Sequence, residues 1–237
     1  MKSIWDNPWF LIPALLFLNA GLLLSFFVPY GQEILMFNGL REEPFNTAFR
    51  FLTLLGEFYP FVIFGIAALF RRYRFAVLIA LAGLITLPTV YLLKEGVGAD
   101  RPITWFKNRG MRESVVTVPG VELNTGRTSF PSGHTMAAFG LYSLLALMSG
   151  KKHPRRGAAF ALLAILVGVS RIFLVQHFLA DVLAGSVLGL AVGGLVWRFN
   201  NAAFFNRLRF LDKRIDLRKR RSLRGRRDEK PSSRRVF

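Results

Sequence analysis

Apolar residues gather into long runs along this chain, separated by short clusters rich in arginine, glycine and proline. Runs near the roughly 20 residues that cross a bilayer as a helix fall at 8–29, 48–70, 74–93, 134–150, 157–174 and 178–198. The pattern predicts an all-α fold, a six-transmembrane helical bundle occupying residues 1–206. The first run is too long for a signal-peptide core and has neither a basic leader nor a clear small-residue cleavage site, so a retained span is expected. Taken as one helix, 157–198 would extend about 63 Å, roughly twice the hydrocarbon core. It must therefore reverse, and the polar group Ser170, Arg171, Gln176 and His177 is the place to do so. No glycine or proline marks that turn. The 37 residues from Glu95 to Pro131 are long for a connection, which points to a functional loop. Their Gly/Pro/Asn content predicts irregular structure, with a short strand at 115–118.

Composition agrees: 52% of the residues are hydrophobic and 24 are phenylalanine. The absence of cysteine excludes disulfides, a thiol nucleophile and a sulfur metal site. The net charge of +18 adds an orientation, because it is unevenly placed. Residues 207–237 carry 14 Lys/Arg against 4 Asp/Glu, and the other basic clusters are at 71–74 and 151–156. With six alternating spans, all three lie on one side, which the positive-inside rule makes cytoplasmic. Both termini are then cytoplasmic, and 30–47, 94–133 and 171–177 face outward. The tail, 207–237, is expected to be disordered and to lie against anionic lipid headgroups. It has no aromatic interleaving and no recognised nucleic-acid fold, so no nucleic-acid partner is expected.

Polar residues near membrane depth are functional candidates. Lys94 closes the third span, with Arg101 following. Ser132, Gly133 and His134 open the fourth, Ser170 and Arg171 close the fifth, and His177 and Asp181 open the sixth. All fall at the outer face. Lys94, Arg101 and Arg171 make an anion site in which the arginine forks suit phosphate oxygens. Ser132 is a good N-cap, Gly133 permits close approach, and the free amides of the fourth helix point at an anion. His177 and Asp181 share a helical face at i and i+4, so the carboxylate can hold one ring nitrogen and leave the other as nucleophile. His134 can deliver a proton to a leaving oxygen. Such a set suits a phosphoryl group in transit. Taken singly, a histidine at a helix end is more often a satisfied polar residue than a catalyst, and a lone outward arginine is more often a headgroup contact. Convergence favours the site: of three histidines, only His153 lies elsewhere. Glu57, in the second span, either pairs with a site cation, contacts a headgroup or simply lies near the interface.

These residues resemble the type-2 phosphatidic acid phosphatase superfamily, which includes lipid phosphate phosphatases and vanadium haloperoxidases. Its three motifs read here as Lys94-x6-Arg101-Pro102, Pro131-Ser132-Gly133-His134 and Ser170-Arg171-x5-His177-x3-Asp181. All eleven specified positions match in order. The six-span core also looks like the membrane branch of the family. The resemblance implies a metal-independent, cofactor-free hydrolase of lipid phosphates or diphosphates. In it His177 would form a phosphohistidine, oriented by Asp181, and His134 would protonate the leaving group and then be placed to activate water. Lys94, Arg101, Ser132, Gly133 and Arg171 would hold the phosphate. A lipid phosphotransferase using the same intermediate, and a non-catalytic headgroup-binding or transport protein, are the competing expectations; the latter would not need both histidines and Asp181. The expected location is a bacterial plasma (inner) membrane, with the active site extracytoplasmic.

Overall fold

The structure, a computed structural model, describes residues 7–200 and 202–216. Among these there is no strand. The helices are α1 (Pro8–Phe27), α2 (Gln32–Leu35), α3 (Phe45–Leu54), α4 (Phe58–Leu69), α5 (Tyr73–Val97), α6 (Pro102–Asn108), α7 (Gly133–Ser149), α8 (Pro154–Phe173), α9 (Leu179–Phe199) and α10 (Ala203–Arg207).

Helix α7 is the axis of the bundle. It is buried almost throughout and packs most extensively on α9, then on α8 and α5. The close approach of α7 and α9 follows from Gly185, Gly189 and Gly193, spaced by four on one face of α9. A methyl group added at Gly185 would lie 2.6 Å from the Ser132 carbonyl oxygen, and one at Gly189 2.5 Å from that of Met136. Small residues let the backbones touch, as in membrane helix pairs generally. Around this centre α1 packs on α8 and α9, and α4 packs on α5. The outer surfaces carry exposed Leu16, Leu23, Phe26, Phe27, Ile63, Leu84 and Leu87, an apolar belt larger than water tolerates.

Helices α1, α5, α8 and α9 are long and apolar enough to cross a membrane, and α3 with α4 makes a fifth span if the bent pair is taken as one. At 17 residues, α7 is shorter than these. The expected second span is broken, with a 54° bend between α3 and α4. Pro60 has no N–H to continue the helix onto the residue 56 carbonyl. Gly56 occupies the break because a side chain there would meet the His134 carbonyl oxygen at 2.9 Å.

The expected strand at 115–118 is absent. The segment is extended, but its neighbour is a side chain: Asn38 Oδ1 accepts from the Val116 amide, and Asn38 Nδ2 donates to the Ser114 carbonyl. Val115 and Val118 are buried in two separate apolar clusters, so these β-branched residues pack as loop anchors and not as one face of a strand. The 95–131 loop is fastened over the bundle by Arg101 N to Gly126 O, Ser129 N to Ala99 O and Gln176 Nε2 to Glu122 O. Of the tail, residues 207–216 are described. They turn back along the α4–α5 junction, with Ile215 N donating to Leu69 O and Asp212 pairing with Arg74 at 3.1 Å. The remainder, 217–237, lies outside the described residues.

Candidate active site

The turn between α8 and α9 reverses without glycine or proline by placing Val175 in the left-handed region, φ 57°. A β-branched residue is strained there, so its surroundings must hold it. Gln176 and His177 amides both donate to Arg171 O, closing the end of α8. Arg41, buried outside the spans, donates through Nε to Phe173 O at 2.8 Å, adding positive charge where the helix dipole is negative. Glu33 Oε1 accepts from the Leu179 amide at the start of α9. Opposite charges thus brace both helix ends that flank His177.

His177 is 1% exposed. Its Nδ1 lies 3.2 Å from Asp181 Oδ2 and its Nε2 lies 3.2 Å from Arg101 Nη1. A guanidinium can only donate, so Nε2 carries the lone pair and Nδ1–H donates to the carboxylate. Burial first, then Arg171, Arg101 and Lys94, push the imidazole well below its usual pKa, so it stays neutral. Asp181 is fixed in turn by Ser129 Oγ at 2.5 Å and the Phe178 amide at 3.0 Å. The fold itself therefore holds the His177–Asp181 pair in place, with Nε2 covered by Arg101.

The cations surround this dyad. Arg101 donates through Nη1 to Gln176 O and through Nε to Thr128 Oγ1. Arg171 donates from Nη1 to Thr53 Oγ1 at 2.6 Å, while its buried Nε has no partner among the described residues. An unpaired buried donor is costly. Ser132 caps α7, its Oγ accepting from Thr135 N, and its own amide donates to Asp181 O. The Gly133 and His134 amides occupy the first turn, where no intrahelical acceptor exists. Lys94 stands in the last turn of α5. His134 is within electrostatic reach of Arg171, His177, Lys94 and Arg101. All eight residues expected from the sequence meet at this end of the bundle.

Several partners escaped the sequence reading. Ser129, Thr128 and Thr53 hold Asp181, Arg101 and Arg171, and no spacing pointed to any of them. Glu57 lies with Oε1 3.7 Å from His134 Nε2, so its partner is the histidine. Among the described residues no group of three or more His, Asp or Glu side chains converges on a metal position.

His134, Lys94 and Glu57 also form the polar end of a cavity of about 810 Å³ between α4 and α5. Its remaining wall is largely apolar, and exposed Phe58, Val62, Leu84 and Leu87 flank it, so it opens sideways through the apolar belt. On the other side of Lys94 a polar hollow of about 410 Å³ is edged by Glu95, Arg127 and Thr128.

Residues 72–205 match the PAP2 superfamily. Among curated proteins, the chain is 36% identical over 80 residues to a lipid A 1-phosphatase of Porphyromonas gingivalis and 42% identical over 79 residues to phosphatidylglycerophosphatase B of Bacillus subtilis. These stretches cover 34% and 30% of this chain, but only 18% and 39% of those proteins. Among solved structures, Aquifex aeolicus LpxE aligns with a TM-score of 0.55 at 25% identity, over 70% of this chain and 92% of that one. The transmembrane PAP2 type phosphatidylglycerolphosphate phosphatase from Bacillus subtilis aligns with a TM-score of 0.50 at 26% identity, over 83% and 96%. The match takes in more than half of the chain and every residue of the cation and histidine cluster: this protein belongs to the PAP2 superfamily.

Proposed function

We propose that the chain is an integral-membrane phosphatase of lipid phosphates or diphosphates, acting through a phosphohistidine at the extracytoplasmic face. The observation that carries this reading is the junction of the His177–Asp181 dyad and its cations with a sideways-opening apolar cleft. A lipid can leave its chains in the cleft and present its phosphate to the cations. The names of the curated relatives support this substrate class, with lipid A and phosphatidylglycerol phosphate as the first compounds to try.

In the proposed reaction His177 Nε2 attacks phosphorus and the P–O bond to the lipid breaks. His134 gives its proton to the departing oxygen. Asp181 balances the positive charge on the His177 ring, while Arg101, Arg171, Lys94 and the α7 amides hold the equatorial oxygens. Water, deprotonated by His134, then attacks phosphorus, breaks the N–P bond and restores His177. Arg101 must first move from Nε2 onto a phosphate oxygen, which frees the lone pair as the anion arrives.

For the membrane arrangement, the reading takes α1, the α3–α4 pair, α5, α7, α8 and α9 as six spans. At 1.5 Å per residue α7 spans about 26 Å, short of the roughly 30 Å hydrocarbon core, yet its neighbours cover it and it need not meet lipid along its length. The proposed membrane domain is 1–206, followed by a basic tail contacting anionic headgroups on the cytoplasmic side.

Purified protein with lipid mono- and diphosphates, in excess chelator, should release inorganic phosphate, and His177→Ala should release none. No release from any lipid by folded wild-type protein would reject the reading. Release only after magnesium or zinc is added would reject the metal-free mechanism.

A further inference from the structure

A second cavity, of about 240 Å³, lies at the end of the bundle away from His177. It sits where α4 and α7 finish, at Leu69 and Ser149, and where α5 and α8 begin, at Tyr73 and Pro154. Phe64, Phe75, Met148 and Phe160 wall it, and Arg71 and Arg156 stand at its rim. Both arginines are exposed, and neither guanidinium has a hydrogen-bond or carboxylate partner among the described residues. Carboxylates are available at this end: Arg74, three residues along, has Asp212. The chain beyond α10 adds further positive charge. Tyr73 N donates to Lys213 O and Ile215 N to Leu69 O, which brings Lys213 and Arg214 to the α4–α5 junction beside Arg71.

The geometry points to a second lipid site here, for an anionic phospholipid of the leaflet opposite the catalytic end. Its phosphate would lie between Arg71 and Arg156, with a stretch of one acyl chain in the hollow. Two arginine forks on different helices suit phosphate oxygens, and basic pockets between helices on the cytoplasmic side hold anionic headgroups. Free phosphate would engage the arginines but leave the aromatic walls unfilled. A lipid satisfies both. The bound lipid is not a substrate, because His177 lies at the other end of α4, α5, α7 and α8. The site stands whatever the catalytic substrate proves to be.

The test is native mass spectrometry of the full chain in detergent, titrated with phosphatidylglycerol. Removing two arginines at about 1 kcal/mol each should weaken binding roughly thirtyfold in Arg71→Gln/Arg156→Gln. Ala67→Trp, an exposed position on the cavity wall, should weaken it without changing a charge. His177→Ala should bind as wild type does, and excess inorganic phosphate should not displace the lipid. Melting temperatures close to wild type are expected, since all three altered positions in the cavity are exposed. Equal affinity in wild type and the double arginine variant overturns the site, as does Ala67→Trp binding normally. Loss of the lipid in His177→Ala, or its displacement by phosphate, does so too.

Discussion

His134 and His177 carry the same side chain in different surroundings, and those surroundings suit the different roles proposed for them. His177 is enclosed, with one nitrogen on Asp181 and the other facing Arg101. His134 looks into the cleft beside Glu57. A lipid alkoxide needs a proton to leave, so His134→Ala should lose about 10²–10⁴-fold on lipid substrate. An aryl phosphate leaves without one, so the same variant should still give a burst of nitrophenolate, provided wild type turns that substrate over. His177→Ala should be silent on both. A burst from His177→Ala, or equal silence of both variants, contradicts the division. Burial has a second consequence. Because His177 is depressed in the fold, its neutral form is favoured, and the associated stability is complete above the unfolded value of about 6.5. It is lost as pH falls below that value towards the folded one. Wild type should therefore drop further in melting temperature than His177→Asn between about pH 7.5 and about pH 5.5; parallel curves would refute this. The motif residues were legible because chemistry fixes their spacing: i, i+4 for the dyad, N-cap for Ser132. Ser129 and Thr53 were not, because they reach Asp181 and Arg171 from other segments, 52 and 118 residues away.

Helix α9 shows how packing sets the site. Ser132 N donates to Asp181 O, so the start of α7 and the start of α9 are tied where their glycine face is closest. Gly189→Ala would press a methyl group to 2.5 Å from the Met136 carbonyl oxygen and 2.7 Å from Phe139 Cβ, and neither atom can swing aside. A loss of about 1–3 kcal/mol is expected from overpacking, together with a fall in turnover as the helices part. Gly39→Ala, with nothing within 4 Å, is the matched control and should melt as wild type does. Similar melting of the two variants would mean that the α7–α9 seam yields. Hydropathy placed the long helices well, since apolar runs are what a bilayer selects. It passed over the break between α3 and α4, because that break arises from backbone sterics at Gly56 and Pro60 and leaves the run apolar. The β-branched run at 115–118 suggested a strand, but no neighbouring segment offers it a ladder, and its two buried valines enter separate apolar clusters.

The orientation of the whole protein rests on charge and is open to a direct check, since the chain has no cysteine of its own. Cysteines at Asn108 and Thr125, exposed on the 95–131 loop, should react with an impermeant thiol reagent in intact spheroplasts if that loop faces outward as charge predicts. One at Lys152, between α7 and α8, should react only after lysis. The reverse pattern would invert the protein and carry the proposed chemistry to the cytoplasmic face. The sideways cleft between α4 and α5 has a further consequence for how any such activity must be measured. A ligand that enters through the apolar belt is met by lateral diffusion, so its effective concentration is its mole fraction in the leaflet. Diluting the substrate with inert lipid or detergent should slow turnover at constant bulk concentration. Adding buffer at a constant surface ratio should leave it unchanged, and a water-soluble phosphate ester should show the opposite dependence.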